Sequence, residues 1–476
     1  MNKVTLANAP AMAPLIRPAA GAALRRLAFV GVALIGFGCT MVPRQERPAA
    51  PVAAQYPGMT ATNEGAAADL TWRNFFLDER LKALIELALV NNRDLRVAIL
   101  NVEQSRAEYR ITRSASFPTI DGSGTYTRSH ANGVTANQWS ASLGTTAYEV
   151  DLFGRVRSLN QQALQKYFAT DEDRRSEQVS LVAQVATEYF TLRQAEESLD
   201  LSRRTLLAVQ ESYDLSQALF DAGASSELDL REAEGQIQTA KISITAYERQ
   251  RDQAENALTL LVGRPLPADL PAGRPFTDTN LLAEIPAGLP SELLERRPDI
   301  LEAEHTLAAA NANIGAARAA FFPTLSLTTS VGATSSQLSR LFGAGTGVWS
   351  FGPQVTVPIF TAGQNLADLD AANVGKRIEI ANYEKAIQTA FREVADALAG
   401  AGSYARQIVE EAALVNAQQR RHELAAARYR QGADTYLNEL TAQQDLFSAQ
   451  QGLIQAQYNK LASQISLYQA LGGGWK

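Results

Sequence analysis

Residues 185–220, VATEYFTLRQAEESLDLSRRTLLAVQESYDLSQALF, decide the fold because they combine a long helical sequence with a seven-residue apolar repeat. No Pro or Gly occurs between Arg155 and Phe220. Apolar residues stand at every seventh position, namely Val185, Leu192, Leu199, Leu206, Tyr213 and Phe220. A sustained heptad predicts a coiled-coil helix rather than a globular one. We predict a helix over ~155–222, which at 1.5 Å per residue is about 100 Å long.

The plan of this segment occurs twice in the chain, which indicates an internal two-fold repeat. Landmarks before the long helix recur 205 residues later, and landmarks after it recur 209 residues later. The matched landmarks are Asp94 with Asp299, Phe117 with Phe322, Gly223 with Gly432 and Gly263 with Gly472. We therefore predict repeat 1 over 76–262, a Pro-rich linker over 263–290 and repeat 2 over 291–476. Repeat 2 contains a second long helix over ~364–431, whose heptads Gly400 and Gly402 interrupt.

Each repeat also contains two predicted strands. They span ~119–128 and ~138–152 in repeat 1, and ~324–334 and ~347–360 in repeat 2. Apolar residues alternate there with Ser, Thr and Gln, and Asn132-Gly133 marks a turn between the first two strands. This alternation is typical of transmembrane barrel strands, and Trp139 and Trp349 fit an interfacial aromatic girdle. A small soluble sheet remains the alternative interpretation of the same strands.

Two shorter helices complete each repeat. They are predicted over ~94–116 and ~224–262 in repeat 1, and over ~299–321 and ~433–471 in repeat 2. The first of each pair ends at a Phe-Pro-Thr tripeptide, because Pro disfavours helix in the residue before it. Together the two shorter helices nearly match the length of the long one. Each repeat is therefore predicted to present one long helix beside two stacked shorter helices.

The N-terminal segment has the features of an export signal. Residues 1–38 contain four basic and no acidic residues, and the apolar run from Leu27 to Gly38 is too short to span a bilayer. The only Cys of the chain, Cys39, follows directly, as in lipoprotein signals whose cysteine becomes acylated after cleavage. We predict a lipoprotein signal peptide over 1–38, lipidation at Cys39 and an extended strap over 39–75. A buried Cys after an ordinary signal is the alternative.

Composition and charge argue against several functions. The net charge of −6 does not favour a nucleic-acid partner. The three histidines, His130, His305 and His422, are scattered, and no phosphate loop or paired-carboxylate motif stands out. The chain has no cluster of Met and His that would indicate a metal-selective channel. We therefore expect no enzyme activity, no metal and no cofactor apart from the lipid on Cys39.

Four strands cannot close a membrane barrel within one chain. The sequence has no apolar run of 18 or more residues, so no membrane-spanning helix is expected. The smallest membrane barrels have about eight strands, and an open sheet edge is not tolerated in lipid. Three chains would supply twelve strands and twelve helical columns. The predicted fold class is an α+β membrane protein, a trimeric 12-stranded β-barrel continued by a 12-column α-helical coiled-coil barrel.

Several short motifs occur at fixed spacings along the chain. They are Gly38-Cys39-Thr40, Arg297-Pro298-Asp299, the paired Phe-Pro-Thr motifs, Asp151 to Gly154, Arg428 to Gly432 and Leu467 to Trp475. With these motifs the chain from Cys39 onward resembles the TolC family of outer-membrane efflux channels. It is most similar to the OprM-like lipoprotein branch, the outer-membrane factors of resistance-nodulation-division (RND) tripartite pumps.

The resemblance implies a fold, a location and partners. It implies a homotrimer that is lipid-anchored in the cell outer membrane and extends into the periplasm. Its implied partners are outer-membrane lipid, a periplasmic adaptor protein and an inner-membrane RND transporter. Its implied function is passive export of drugs or other small toxic compounds. Two alternatives remain, a type I protein-secretion channel of the same fold and a structural coiled-coil lipoprotein.

The resemblance also implies a gate at the periplasmic tip, where Gly223 and Gly432 are the hinges of the helix hairpins. In the family a Leu at the position of Leu437 narrows the pore. An acidic ring lies one turn later in the family, where this chain has Thr441.

The tip also has charged candidates. Arg428 and Tyr429 match an Arg and a Tyr of the family's tip network. Their candidate carboxylate partners in this sequence are Asp221, Asp229 and Asp434.

Overall fold

The computed structural model describes residues 40–44, 46–53, 56, 70–276, 282 and 296–473. The chain folds as two compact units, which we call the strand unit and the helical unit. The strand unit comprises residues 112–161 and 312–372 with the described residues up to Pro43, and the helical unit comprises the remainder. The predicted signal over 1–38, Cys39 and parts of the predicted strap and linker lie outside the described residues.

The strand unit contains one antiparallel sheet in the order β1-β2-β3-β4. Its strands are β1 (Asp121–Ala131), β2 (Val134–Val150), β3 (Thr324–Ser335) and β4 (Gly347–Thr356). A short 3-10 helix, Leu338–Arg340, lies between β3 and β4. Because β2 pairs with β3, the sheet joins the strands of the two predicted repeats edge to edge.

The first two strands meet at a tighter turn than the sequence predicted. Predicted strand ends at ~128 and ~138 are wrong, since pairing continues to Ala131 and Val134. Asn132 and Gly133 both have positive φ, 52° and 78°, as the two central residues of a type I′ turn require. The turn thus matches the strand twist and lets the ladder run to its end. At the other side of the sheet β4 ends at Thr356 rather than ~360, before Pro358.

Eight helices lie within the described ranges. They are α1 (Trp72–Phe75), α2 (Glu79–Asn91), α3 (Arg93–Ser114), α4 (Arg155–Asp221), α5 (Glu227–Val262), α6 (Pro298–Ala319), α7 (Gln364–Arg430) and α8 (Tyr436–Ala470). Helices α4 and α7 have 67 residues each. Within the described ranges, no helix has both the length and the apolar character needed to cross a membrane.

Gly400 and Gly402 do not interrupt α7, although they break its heptads. A Cβ on Gly400 would lie 2.5 Å from the Oγ of Ser463 in α8. The missing side chain therefore permits a close approach of α7 and α8 at this level, although glycine inside a helix costs about 1 kcal/mol relative to alanine.

The sequence missed the two helices that precede α3. The predicted extended strap over 39–75 is wrong at its end, because Trp72–Phe75 is a turn of helix and α2 follows it. The Asp78 carboxylate caps α2 by accepting from the backbone N–H groups of Arg80 and Leu81. Phe75 of α1 belongs to the largest apolar cluster of the helical unit, where its ring stacks on that of Tyr468 of α8 with 4.2 Å between the ring centroids.

The two returning helices also start later than predicted. Helix α5 begins at Glu227 rather than ~224, and α8 begins at Tyr436 rather than ~433. Two residues separate each hinge glycine from Ser226 or Thr435, the residue at the N-cap. The delay arises because the residues after the left-handed glycine complete the turn before the extended N-cap residue starts the next helix.

The two predicted repeats contain matching contacts between their short helices. The Nδ2 of Asn92 donates to the carbonyl of Leu261 at 2.9 Å, and a guanidinium nitrogen of Arg297 donates to the carbonyl of Ala470 at 2.9 Å. The donors are 205 residues apart and the acceptors 209. In each predicted repeat, the hydrogen bond therefore joins the start of the first short helix to the C-terminal end of the second short helix of the same repeat.

Candidate gating site at the helical turns

Both turns between long and short helices have the same backbone geometry. The N–H of Gly223 donates to the carbonyl of Phe220 at 2.9 Å, and that of Ala224 to Leu219 at 2.7 Å. The N–H of Gly432 donates to Tyr429 at 2.8 Å, and that of Ala433 to Arg428 at 2.9 Å. These are Schellman motifs, in which the residue after the helix is left-handed. Gly223 and Gly432 have φ of 74° and 68°, which explains glycine at both hinges.

Arg428 pairs with Asp434, one of its three candidate partners. The Nε of Arg428 donates to Oδ2 of Asp434 at 3.1 Å, and a terminal nitrogen donates to the carbonyl of Ala433 at 3.4 Å. Hydrogen bonds from the Asn438 amide, from the backbone N–H of Thr435 and from Arg428 hold the pKa of Asp434 below its ordinary value. The guanidinium is largely exposed, so this ion pair contributes little and is screened by salt.

The other two candidate carboxylates serve their own helices. Asp221 accepts a hydrogen bond from Gln217 at 3.0 Å, one turn earlier on α4. Asp229 forms a capping box with Ser226 at the start of α5. Neither therefore pairs with Arg428, because each carboxylate is already engaged on its own element.

Tyr429 lies in a buried apolar cluster beside the turn of α7 and α8. This tip cluster consists of Ala233, Tyr429, Tyr436 and Leu440. The rings of Tyr429 and Tyr436 are 5.5 Å apart, and the hydroxyl of Tyr429 is 3.3 Å from the Oγ of Ser216. Burial raises the pKa of Tyr429 above its ordinary value, so its hydroxyl stays protonated near neutral pH.

Leu437 is exposed and Thr441 is bonded to its own helix. The side chain of Leu437 is 56% exposed, and that of Leu228, 209 residues earlier, is 66% exposed. The hydroxyl of Thr441 donates to the carbonyl of Leu437 at 2.8 Å. Leu437 therefore contributes nothing to the core of its own chain and is free for a contact with other molecules.

Glu439 is a buried group of this site that is absent from the residues predicted from the sequence. It is only 6% exposed, and its Oε1 accepts a hydrogen bond from Ser212 at 3.1 Å. The signal was present in the repeat, because the residue 209 positions earlier is Leu230, a buried apolar residue. A carboxylate at a position that the other repeat fills with leucine indicates a core site.

The described residues hold no group of three or more His, Cys, Asp or Glu side chains suited to a metal ion. The predicted lipidation site, Cys39, cannot be placed because it lies outside the described residues.

These features, long helices that turn back at Schellman motifs and a separate antiparallel sheet, agree with the comparison with known proteins. The chain belongs to the outer membrane efflux protein family, whose profile matches residues 84–264 and 289–473. That family comprises outer-membrane components of efflux pumps, a class of transport channels rather than of enzymes.

Individual relatives agree with this assignment. The antibiotic efflux pump outer membrane protein ArpC of Pseudomonas putida is 47% identical over 464 residues, which cover 94% of this chain and 95% of the relative. The toluene efflux pump outer membrane protein TtgC of Pseudomonas putida shows the same identity and coverage. The open-state structure of the MtrE outer membrane channel of Neisseria gonorrhoeae superimposes with a TM-score of 0.87. It is 42% identical and covers 92% of this chain and 99% of that chain.

Proposed function

We propose that this chain is the outer-membrane exit channel of a tripartite efflux pump. It would act as a passive conduit from the periplasm to the outside for drugs or other small toxic compounds. Membership of the efflux protein family supports the channel, and the words antibiotic and toluene in the names of two relatives support the class of cargo.

The observation that carries this proposal is the two-faced sheet. The register aligns Leu143 with Val331 and Val331 with Trp349, and all three apolar side chains are exposed. Because side chains alternate between faces, the neighbouring positions point the other way, and there Ser330 and Ser350 have their Oγ atoms 2.7 Å apart. An apolar face and a hydroxyl-lined face suit a barrel wall between lipid and an aqueous lumen.

The edges of the sheet support closure with other copies of the chain. Within the described residues, β1 pairs only with β2 and β4 only with β3. An open edge is not viable in lipid, so we propose that three chains join into a 12-stranded barrel and a 12-column α-helical barrel. The matching contacts of Asn92 and Arg297 support the internal two-fold repeat and the predicted domain bounds.

We also propose the membrane attachment and the partners. Acylation at Cys39, after removal of residues 1–38, would add a lipid anchor to the outer-membrane barrel. A periplasmic adaptor protein would bind the helical turns, and an inner-membrane RND transporter would drive export. The chain itself needs no cofactor for this role.

The gate of this conduit is proposed at the turn of α7 and α8. Leu437 is exposed beside the Gly432 hinge, where three copies of an apolar side chain would meet on the channel axis. The backbone of this turn, which positions Leu437, would be held by contacts of Arg428, Tyr429, Asp434 and Thr441. Asp221, Asp229 and Gly223 would shape the matching turn of α4 and α5.

Conductance in planar bilayers tests the gate. Leu437→Ala should open the channel about tenfold more often than wild type, because a Leu side chain in an apolar contact contributes about 1.5–3 kcal/mol and 1.4 kcal/mol is tenfold. Leu228→Ala, the equivalent exposed leucine of repeat 1, is the matched control and should leave opening unchanged. Discrete channels that respond equally to both substitutions would contradict the gate. An absence of channels from well-folded protein of all three forms would contradict the conduit.

A further inference from the structure

Glu439 occupies a core position next to the turn of α7 and α8. Its Oε1 accepts from the Oγ of Ser212 on α4 at 3.1 Å, whereas its Oε2 has no hydrogen-bond partner among the described residues. The equivalent position of the first repeat is Leu230, which is 7% exposed against 6% for Glu439. A leucine would satisfy the packing without any partner. The carboxyl is therefore a destabilising choice, since a buried oxygen loses its hydrogen bonds to water and gains no donor in exchange.

Two serines of α4, Ser212 and Ser216, contact residues of the second repeat through their hydroxyls. We call this contact the hydroxyl seam. Ser212 bonds to Glu439 of α8, and Ser216, one turn later, lies 3.3 Å from the hydroxyl of Tyr429 of α7. The residues 209 positions after these serines are Arg421 and Ala425, and Arg421 instead pairs with Asp445 of α8. The hydroxyl seam thus exists on one side only, which makes the contact between α4 and the α7–α8 turn different from its counterpart.

Three elements supply the groups that act on this carboxyl. From α4, the hydroxyl of Ser212 donates a hydrogen bond to it. From α7, the charge of Arg430 and the phenol of Tyr429 interact with it electrostatically. On its own helix it acts on Tyr436, whose buried hydroxyl also has no hydrogen-bond partner among the described residues.

Helix α5 adds only negative charges to this region. Asp229 and Glu232 both act on Tyr436, and neither can neutralise a carboxylate. Burial raises the pKa of Glu439 above its ordinary value of 4.5, while the hydrogen bond from Ser212 and the charge of Arg430 act in the opposite direction without cancelling it.

We propose that Glu439 is a protonation-controlled latch that holds the start of α8 against α4. The neutral carboxyl stays buried in the seam, and the ionised carboxylate favours an arrangement in which its second oxygen reaches water. The role rests on the gate proposed above, since the latch lies one half-turn from Leu437, but its packing effect is measurable without a conducting channel.

The direction of the pH dependence follows from the carboxyl. Its proton is bound more tightly in the packed arrangement than in an open one. The packed arrangement is therefore fully favoured at pH values below the ordinary value of 4.5 and weakens as the pH rises from there through the raised pKa. Acid closes the seam and neutral pH loosens it.

Hydrogen exchange of backbone amides over 436–446, measured by mass spectrometry on the detergent-solubilised full protein, tests the latch. Intrinsic exchange depends on pH, so each variant is compared with wild type at one pH. At pH 8 we expect Glu439→Gln to exchange about three- to tenfold more slowly than wild type, and at pH 4.5 to match it, since one unit of pKa corresponds to about tenfold. Glu439→Leu should behave as the Gln variant does.

Two further variants sharpen the test. Glu410→Gln removes an exposed carboxyl of α7 and should exchange as wild type does at every pH. Leu230→Glu places the carboxyl in repeat 1 and should bring the pH dependence to the amides of α5. Wild-type exchange in both Glu439 variants at pH 8 would overturn the latch. Hydrogen exchange could show the latch while the open probability of the channel does not change with pH in wild type or in Glu439→Gln. That result would overturn the part of the latch in gating and would leave the proposed conduit unaffected.

Discussion

Replacing Arg297 with methionine is expected to destabilise the helical unit by about 2–4 kcal/mol. Removal of one partner from a buried ion pair costs about 3–5 kcal/mol, and the partial exposure of the carboxylates reduces this value. Arg297 is buried and forms ion pairs at 2.7 Å with Asp299 and with Glu393 of α7. Its third contact is the carbonyl of Ala470 at the end of α8. Methionine keeps most of the volume but leaves the two carboxylates and this carbonyl without their donor.

The free energy of unfolding in urea, with the protein in detergent micelles, measures this loss. Although burial acts to lower the pKa of Arg297, the two carboxylates raise it overall, so the guanidinium stays charged at any working pH. Arg392→Met is the matched control, because Arg392 is 71% exposed and lies 4.0 Å from Asp396 on the same helix. Its loss should stay within about 0.5 kcal/mol. Equal losses of unfolding free energy for the two variants would mean that the contacts of Arg297 do not stabilise the packing of α6, α7 and α8.

The long helices and the strands were accessible from sequence because their signals are local. A 36-residue stretch with unbroken heptads predicts one helix regardless of its neighbours, and Asn132-Gly133 fixes a hairpin by its φ preference. Helix α2 was missed although Asp78 and the apolar spacing of Leu81, Leu84 and Ile85 give a cap and a helical face. The preceding strap is rich in Pro, and the extended conformation predicted for it was carried too far toward α2.

The site was less predictable because its partners depend on the turn and on packing between helices. The sequence alone left three candidate carboxylates for Arg428, one on its own turn and two on the turn of the other repeat. The Schellman turn at Gly432 folds Asp434 back to Arg428, while the capping box commits Asp229 to Ser226. Residues two apart on a helix, such as Glu439 and Thr441, lie on different faces, but only the fold shows that the face of Glu439 packs on α4. Burial against a distant element cannot be deduced from a single helical period.

Replacing Asp78 with alanine is expected to cost about 3–5 kcal/mol of stability, which is the second large effect. This carboxylate is 1% exposed and accepts four hydrogen bonds. Its Oδ1 accepts from the N–H groups of Arg80 and Leu81, and its Oδ2 accepts from the hydroxyl of Tyr189 and the N–H of Arg274, both at 2.9 Å. Hydrogen bonds to charged groups contribute about 1.5–3 kcal/mol each, and they do not add fully. Burial and the nearby carboxylate raise the pKa of Tyr189, so it remains a donor.

Two further substitutions separate the cap from the tie to the linker. Asp78→Asn should recover the cap, since Asn caps helices about as well as Asp, yet it turns an amide N–H₂ toward two donors and should still lose about 2 kcal/mol. Ser226→Ala removes an exposed N-cap elsewhere in the helical unit and should cost about 1 kcal/mol. Urea unfolding in micelles and exchange of the amides over 270–276 measure the two parts. A loss for Asp78→Ala no larger than that for Ser226→Ala would mean that the carboxylate acts as a cap alone, and that the linker is held to α2 and α4 by its apolar contacts.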